Sequence, residues 1–264
     1  MKVLIAGDVV GKPGRNIVRD GLAHLRRKED FDVIVVNIEN AAAGFGVTPD
    51  IASKLFDAGA DVLTTGNHIW DKKEIIPYLD REPRLLRPIN YPPACEGTGS
   101  YIVTTASGVD VAVVNVQGRV FMPIIDCPFR AMDRELEALA NKTKLIVVDL
   151  HAETTSEKMA MASYLDGRVS AVVGTHTHVP TADERIMPKG TAYMTDLGMC
   201  GAYDSVIGIE PATSLPRFLK GVPTKFEVAK RNPWMCGAVI EVDEATGLAT
   251  DIRRLKLTRD DLEG

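Results

Sequence analysis

Six short runs of aliphatic residues, many of them β-branched, are the feature that most restricts the fold of this chain. They lie at residues 3–6, 33–36, 61–65, 111–116, 145–148 and 171–173. Near-continuous apolar runs of this length are typical of strands that are buried on both faces of a sheet. Because helices must cover such a sheet, the runs predict an α/β fold.

Amphipathic helical patterns separate several of these runs. The predicted helices cover 15–27, 49–58, 132–140, 157–165 and, interrupted by Pro216, 210–220. Thr48 stands where it can cap the second of them. Residues 234–257 predict a terminal hairpin around a glycine-containing turn. The proline-rich stretch 79–99 predicts a long loop or a passage between two sheets, and we expect the whole chain, 1–264, to form one domain.

Composition restricts the class of function. The chain has 264 residues and a formal net charge of −5, so it lacks the broad basic face that non-specific binding of duplex nucleic acid requires. Its apolar runs are too short to cross a bilayer, and the first ends at Asp8, short of a signal-peptide core. The four cysteines are scattered without a Cys-x-x-Cys pair, which is typical of reduced thiols. We therefore expect a cytoplasmic protein that binds neither duplex nucleic acid nor membranes.

Polar residues that suit metal binding follow five of the predicted strands. They are Asp8, Glu39, Asn40, Asn67, His68, Asp149, His151, Glu153, His176 and His178. Ligands of open α/β sheets bind beyond the carboxyl ends of the strands, so we expect these side chains to meet at one edge. Four of the five histidines in the chain belong to this set. Imidazole, carboxylate and carboxamide donors together favour Zn, Mn or Fe over softer metals.

The same set of donors is large enough for two metals. His176 and His178 share one face of an extended segment, or diverge in a turn and serve two ions. Glu39 or Asp8 could supply a bridging carboxylate. Two metals about 3.5–4 Å apart can hold a hydroxide and clamp a phosphoryl oxygen. Each signal alone is weak, because these residue types are common in turns, but their coincidence indicates a metal centre.

Two other phosphate-binding motifs are excluded. Residues 7–12 are similar to a P-loop, but three residues instead of four separate the glycines, and Pro13 replaces the Ser or Thr that holds magnesium. As a dinucleotide fingerprint, the segment would place Asp8 against a pyrophosphate. The sequence also contains no Gly-x-Ser-x-Gly elbow.

Several sequence blocks resemble known signature motifs. Gly7-Asp8, Gly66-Asn67-His68 and Gly174-Thr175-His176-Thr177-His178 resemble the motifs of calcineurin-like metallophosphoesterases. Across nearly the whole chain the sequence is similar to the bacterial YmdB-like branch of that superfamily, which includes 2′,3′-cyclic-nucleotide 2′-phosphodiesterases. The matching blocks are 7–11, 37–42, 65–68, 115–119, 149–153 and 195–201. The resemblance implies a four-layer αββα sandwich of two mixed sheets with a dinuclear metal centre at the strand-end edge.

The resemblance also implies a role for each site residue. One metal would be held by Asp8, Glu39, Asn40 and His178, and Glu39 would bridge to a second metal held by Asn67, His151 and His176. His68 would lie unligated beside the metals, as a general acid or as a hydrogen-bond donor to the phosphate. Two divalent or mixed-valence transition metals are expected per chain, Fe or Mn first and Zn as a third candidate.

Two positions depart from the wider superfamily. Many members carry Asp-x-His after the first strand, whereas Val10 stands here. The first metal therefore lacks this particular histidine, and Asn40 is the expected substitute, which should weaken or retune that site. Glu39 stands where an aspartate usually bridges, and its extra methylene lets the carboxylate reach from a more distant backbone.

The activity implied is hydrolysis of 2′,3′-cyclic and also 3′,5′-cyclic nucleotides by a metal-bridging hydroxide. A small phosphodiester is thus the expected partner, and the family is compatible with a homo-oligomer. Two alternatives stay open: a phosphomonoesterase or nucleotidase on the same centre, and a regulatory, RNA-associated protein with incidental turnover. Asp149, Glu153 and Asp196 are candidates for orienting the ligating imidazoles, with turn formation and capping as the alternative.

Overall fold

The computed structural model describes residues 1–263, which form two β-sheets with helices on their outer faces. The strands are β1 (Lys2–Ala6), β2 (Asp8–Val9), β3 (Val33–Asn37), β4 (Val62–Thr64), β5 (Ser100–Thr104), β6 (Asp110–Gln117), β7 (Leu145–His151), β8 (Ala171–Thr175), β9 (Arg185–Ile186), β10 (Ala192–Met194), β11 (Met199–Ala202), β12 (Pro233–Val242) and β13 (Ala249–Leu257). The helices are α1 (Gly11–Lys28), α2 (Pro49–Asp57), α3 (Ile76–Leu79), α4 (Pro128–Leu139), α5 (Thr155–Leu165), α6 (Pro211–Lys220) and α7 (Arg259–Glu263). Among these helices, none is both long and apolar enough to cross a membrane.

Both sheets are mixed. The first has seven strands in the order β2-β11-β12-β1-β3-β4, with β13 paired to β12. Its β1, β3 and β4 are parallel, and β12 with β13 forms the predicted C-terminal hairpin. The second has six strands in the order β5-β6-β7-β8-β10-β9, of which the inner four are parallel. The stretch 79–99 leads from α3, which follows β4 of the first sheet, to β5 of the second sheet and is therefore a passage between the two sheets.

Alternation of side chains along the strands divides the interior into three apolar cores. In β1, Val3 joins the core between the two sheets, whereas Leu4 joins the core beneath α1 and α2. In β6, Val113 faces the first sheet and Val114 faces α4 and α5. Since neighbouring strand residues point to opposite faces, each sheet supplies two cores. The layers are therefore helix, sheet, sheet and helix, which confirms the predicted four-layer sandwich.

Several predicted elements have different bounds in the structure, and two of these differences lie next to the site. Helix α1 begins at Gly11 instead of at residue 15, because Pro13 in a first turn forfeits no helical hydrogen bond. Strand β7 continues past residue 148 to His151, which pairs with Gln117 of β6. Asp149 and His151 thus lie inside a buried strand instead of after it. Five strands of two to five residues, β2, β5, β9, β10 and β11, carry no clear apolar run and were not predicted.

Candidate metal centre

The eight predicted site residues lie at one edge of the sandwich, where β1, β3, β4, β7 and β8 end. Five of them are buried, namely Asp8, Glu39, Asn40, His151 and His178. Asn67, His68 and His176 are half-buried. Parallel strands of the two sheets end side by side here, so residues up to 168 positions apart come into hydrogen-bond contact. This edge is the one expected for ligand binding in such sheets.

Four ligand atoms converge in one group, which we call the four-donor cluster. His151 Nε2 lies 2.9 Å from Glu39 Oε1, 3.0 Å from His176 Nδ1 and 3.2 Å from Asn67 Oδ1. Donors bound to one ion at about 2.0–2.1 Å lie about 2.9–3.4 Å apart in octahedral or tetrahedral geometry. The spacing around His151 Nε2 therefore fits a single transition-metal ion.

The protonation of His151 supports the same interpretation. His151 Nδ1 donates to Thr175 Oγ1 at 2.9 Å, and burial lowers the pKa of His151 to about 4, although Glu39 opposes that shift. The ring is therefore neutral at pH 7 with Nε2 unprotonated. His176 Nε2 lies 3.0 Å from Glu153 Oε2. The unprotonated Nε2 of His151 therefore faces Glu39 Oε1 and Asn67 Oδ1, two further acceptors, and this arrangement favours a cation between them.

A second group of acceptors lies next to the four-donor cluster. His178 Nδ1 donates to the carbonyl of Ile207 at 2.9 Å, so its Nε2 is unprotonated where it meets Asn40 Oδ1 at 3.1 Å. Asp8 Oδ2 accepts from the backbone N–H of His176 at 3.0 Å. Asp8 Oδ1 is buried and finds no hydrogen-bond partner within residues 1–263. Burial, followed by repulsion from Glu39, raises the pKa of Asp8 well above its usual value.

These observations show that the residues present fit metal ions. An orphaned buried carboxylate oxygen is costly unless a cation satisfies it. The carboxylate, amide and imidazole donors match the preferences of Zn, Mn and Fe. Val10 lies beside Asp8 and Asn40 and offers no ligand atom, as the sequence indicates.

The acidic residues that sequence reasoning singled out each contact the site differently. Glu153 contacts the His176 ring directly. Asp149 acts through Thr175, whose hydroxyl donates to Asp149 Oδ1 at 2.7 Å while accepting from His151. Asp196 accepts from the N–H of Thr177 at 3.2 Å and from its hydroxyl at 2.6 Å. All three therefore contact His151, His176 or the turn 176–178, directly or through a threonine, and Thr175 and Ile207 are further contacts of these histidines that the sequence did not indicate.

The turn that carries His176 and His178 is strained. Their φ angles are 94° and 65°, a region that non-glycine residues rarely adopt. Between them, Thr177 is fixed by Asp196, and Asp196 in turn pairs with Lys158 Nζ at 2.7 Å. The side chains of Lys158 and Asp196 are 1% and 0% exposed. The buried ion pair of Lys158 and Asp196 therefore fixes the conformation of this turn.

Replacing Lys158 with methionine should destabilise the protein by about 3–5 kcal/mol, because the carboxylate of Asp196 would be left buried without its cation. Urea unfolding measures the change. The matched control is Lys54→Met, which removes the exposed pair with Asp50 and should cost less than about 1 kcal/mol. Equal losses in the two variants would contradict the role assigned to the buried pair.

Gly66 allows the backbone after β4 to approach the ligands closely. A Cβ at this position would overlap Glu39 Oε2 and the His151 ring. We therefore expect Gly66→Ala to weaken metal binding by more than about tenfold, since displaced ligands lose affinity on that scale. The control is Gly108→Ala, whose Cβ has open space; its φ of +82° strains the backbone and lowers stability, but the variant should keep the metal content of the wild type. Metal titration followed by elemental analysis distinguishes the two, and equal affinities would contradict this role.

His68 lies at the rim of the site instead of within either group of donors. Its Nδ1 lies 2.8 Å from Asp71 Oδ2, and its ring packs edge-on against Phe45 at 5.0 Å. It lines a cleft of about 150 Å³ together with Glu39, Asn40, His176 and His178. Asp71 was not among the predicted site residues, although the His-x-x-Asp spacing could have indicated it.

Comparison with known proteins identifies the family. A family model described as YmdB-like protein matches residues 4–255. The chain belongs to the YmdB-like protein family. This confirms the resemblance found in the sequence. A 2′,3′-cyclic-nucleotide 2′-phosphodiesterase of Bacillus subtilis (strain 168) is 46% identical over 260 residues, which are 98% of each chain.

Two solved structures share the fold of this chain. A hypothetical protein from Thermus thermophilus is 43% identical, has a TM-score of 0.92, and matches over 98% of this chain and 99% of that one. A novel phosphatase from Mycoplasma pneumoniae is 37% identical, with a TM-score of 0.91 over 98% of this chain and 93% of that one. The sandwich is thus shared along almost the whole length of these chains.

Proposed function

We propose that this YmdB-like protein is a metal-dependent phosphodiesterase that hydrolyses 2′,3′-cyclic nucleotides, and also 3′,5′-cyclic nucleotides, at a dinuclear centre. The enzyme class, hydrolase of phosphoric diesters, follows from its relatives. The observation that supports the metal centre best is the four-donor cluster of Glu39, Asn67, His151 and His176, whose ligand atoms lie at 2.9–3.2 Å around His151 Nε2.

The second metal would be held by the four-donor cluster, and the first by Asp8, Asn40 and His178 with Glu39 as the bridging carboxylate. Fe or Mn is proposed, with Zn as a third candidate. When bound, two neighbouring cations supply Lewis-acid stabilisation for negative charge on the phosphoryl group.

The protein's own groups then handle the proton of the leaving oxygen. Asp71 accepts from His68 Nδ1, which leaves His68 Nε2 as the atom available to a substrate in the cleft. His68 is proposed to donate a proton or a hydrogen bond from Nε2 to the leaving oxygen. Phe45 holds the ring in place from one side. In a 2′,3′-cyclic nucleotide that cleaves to a 3′-phosphate, this oxygen is the ribose O2′.

The proposal also includes a small phosphodiester as substrate and a cytoplasmic location. The four cysteines, Cys95, Cys127, Cys200 and Cys236, are free thiols, which agrees with a reducing compartment.

A substrate panel tests the proposed function. Protein stripped by a chelator and reloaded with Mn²⁺ should convert 2′,3′-cyclic AMP to 3′-AMP and stop there, and chelator should abolish the reaction. Release of inorganic phosphate from 3′-AMP, without action on the diester, would instead identify the nucleotidase alternative. Metal-loaded protein that hydrolyses neither compound would contradict the proposed function.

A further inference from the structure

A large groove lies beside the catalytic cleft and is lined by basic residues. We call it the basic groove and define it by Lys12, Arg15, Lys72, Lys230, Arg259 and Phe226. Its volume is about 940 Å³, whereas the cleft at the metal ligands measures about 150 Å³. Sites for small molecules usually measure about 300–1,000 Å³. The groove alone is therefore as large as a complete small-molecule site.

The charge in the groove is not balanced by the protein itself. Lys12, Lys72, Lys230 and Arg259 form no ion pair with any residue of the described range 1–263. Glu227 is the one acidic residue among those that line the groove. The chain as a whole carries a formal net charge of −5, so the positive charge of the groove is opposite in sign to the net charge of the chain. Unpaired cations that face one space attract an anionic ligand.

The start of helix α1 adds to this positive field. Lys12, Pro13, Arg15 and Asn16 line the groove, so the N-terminal end of an 18-residue helix borders it. No side chain caps this end, and its first turn contains no acidic residue. Helix N-termini bind phosphate groups through their free N–H groups and the helix dipole.

The groove and the cleft are continuous. Phe226 lines both of them. Ala42 and Ala43 line the groove, and the next two residues, Gly44 and Phe45, line the cleft. Lys72 of the groove directly follows Asp71, the partner of His68. A ligand whose reacting phosphate lies in the cleft can therefore extend into the groove without leaving the protein surface.

A mononucleotide does not account for these cations. Its single phosphate is the reacting group and lies in the cleft, so the groove would contact no phosphate. A nucleic-acid strand supplies one additional phosphate per nucleotide. A 2′,3′-cyclic phosphate also requires a ribose, which restricts the strand to RNA. Phe226, half-buried at the junction, is placed where an aromatic ring can stack on a base.

We infer that the YmdB-like enzyme acts on single-stranded RNA oligonucleotides that end in a 2′,3′-cyclic phosphate, with the terminal phosphate in the cleft and the upstream phosphates in the basic groove. This inference rests on the proposed diesterase activity. Water adds to phosphorus, the P–O2′ bond breaks, and O2′ takes up the proton. The product is the same oligonucleotide with a 3′-phosphate.

The first test compares two substrates. Wild-type enzyme should hydrolyse a hexaribonucleotide with a terminal 2′,3′-cyclic phosphate with a kcat/KM at least about tenfold above that for 2′,3′-cyclic AMP, because charge steers and holds the longer ligand. The variant Lys12→Glu/Lys230→Glu should lower that ratio by at least about tenfold. The matched control, Lys142→Glu/Lys189→Glu, reverses two exposed lysines at the opposite edge and should keep the ratio.

The second test is binding, so that the groove can be judged even if hydrolysis fails. Fluorescence anisotropy of a 5′-labelled hexaribonucleotide should show binding by the wild type that weakens as salt is added. The logarithm of the association constant should fall with the logarithm of the salt concentration, with a slope of about −0.7 per phosphate contacted. The Lys12→Glu/Lys230→Glu variant should bind at least about tenfold more weakly and show a smaller slope.

Three outcomes would overturn the inference. The first is equal affinity of the wild type and the groove variant for the hexaribonucleotide, and the second is an unchanged substrate ratio in that variant. The third is that a poly-glutamate peptide displaces the labelled RNA as strongly as unlabelled RNA does. If the wild type hydrolyses neither substrate but binds the RNA through the groove, the proposed function fails while the groove assignment stands.

Discussion

Replacing His151 with alanine should lower kcat/KM for a cyclic nucleotide by more than about a hundredfold and reduce the metal content by about one ion per chain. Removing a residue that only orients a ligand typically costs 10–100-fold, so loss of a ligand itself must cost more. His151 Nε2 is the atom nearest to the other three members of the four-donor cluster. The replacement also leaves Glu39 without its closest neighbour in a buried site.

Elemental analysis of the purified variant and steady-state kinetics measure both effects. The matched control is His24→Ala, which removes the one histidine of the chain outside the site, a buried residue of α1. It should keep the metal content and activity of the wild type in the folded fraction. Full metal content with full activity in His151→Ala would contradict the assignment of the ligand.

Replacing His68 with alanine should lower turnover by about 10²–10⁴-fold while both metals stay bound. This range is the usual contribution of a general acid or base. The side chain of His68 contacts Asp71 and Phe45, and only its backbone N–H reaches Glu39, at 3.3 Å. The ring can therefore be removed without removing a ligand.

A change of leaving group sharpens this second prediction. The p-nitrophenolate group of a p-nitrophenyl phosphodiester leaves without protonation. The variant His68→Ala should therefore lose much less activity on this substrate than on 2′,3′-cyclic AMP. Asp71→Asn keeps the His68 ring and replaces the charged acceptor of its Nδ1 proton with a neutral amide, so its loss should be smaller, about 10–100-fold. An equal loss on both esters, or a loss of bound metal, would show that His68 is not the proton donor.

The edge of the sandwich where the site lies could be predicted from local sequence. Asp8, Glu39 and His176 each follow an apolar run, and parallel strands bring such positions together. The four layers also follow from the resemblance, but the apolar runs alone do not say which side chains face which core. Val3 and Leu4 are equally apolar, and only the tertiary structure separates them.

The supporting contacts could not be predicted, for identifiable reasons. Ile207 contributes a backbone carbonyl to His178, and a carbonyl has no residue-type signature. Lys158 is expected on the surface of a helix, because a buried lysine is rare unless it is paired. Strand β7 was predicted too short because Asp149 and His151 are polar, and polar residues usually mark the end of a buried strand. The basic groove joins positions as distant as Lys12 and Arg259.

The most direct measurement of the proposed metal centre is anomalous scattering from crystals at the Fe, Mn and Zn absorption edges. We expect two peaks about 3.5–4 Å apart, the spacing of metals that act on one phosphoryl group. One should lie among Glu39, Asn67, His151 and His176, and the other beside Asp8, Asn40 and His178. Crystals soaked in these metals that show no peak within ligand distance of His151 Nε2 would contradict the dinuclear centre.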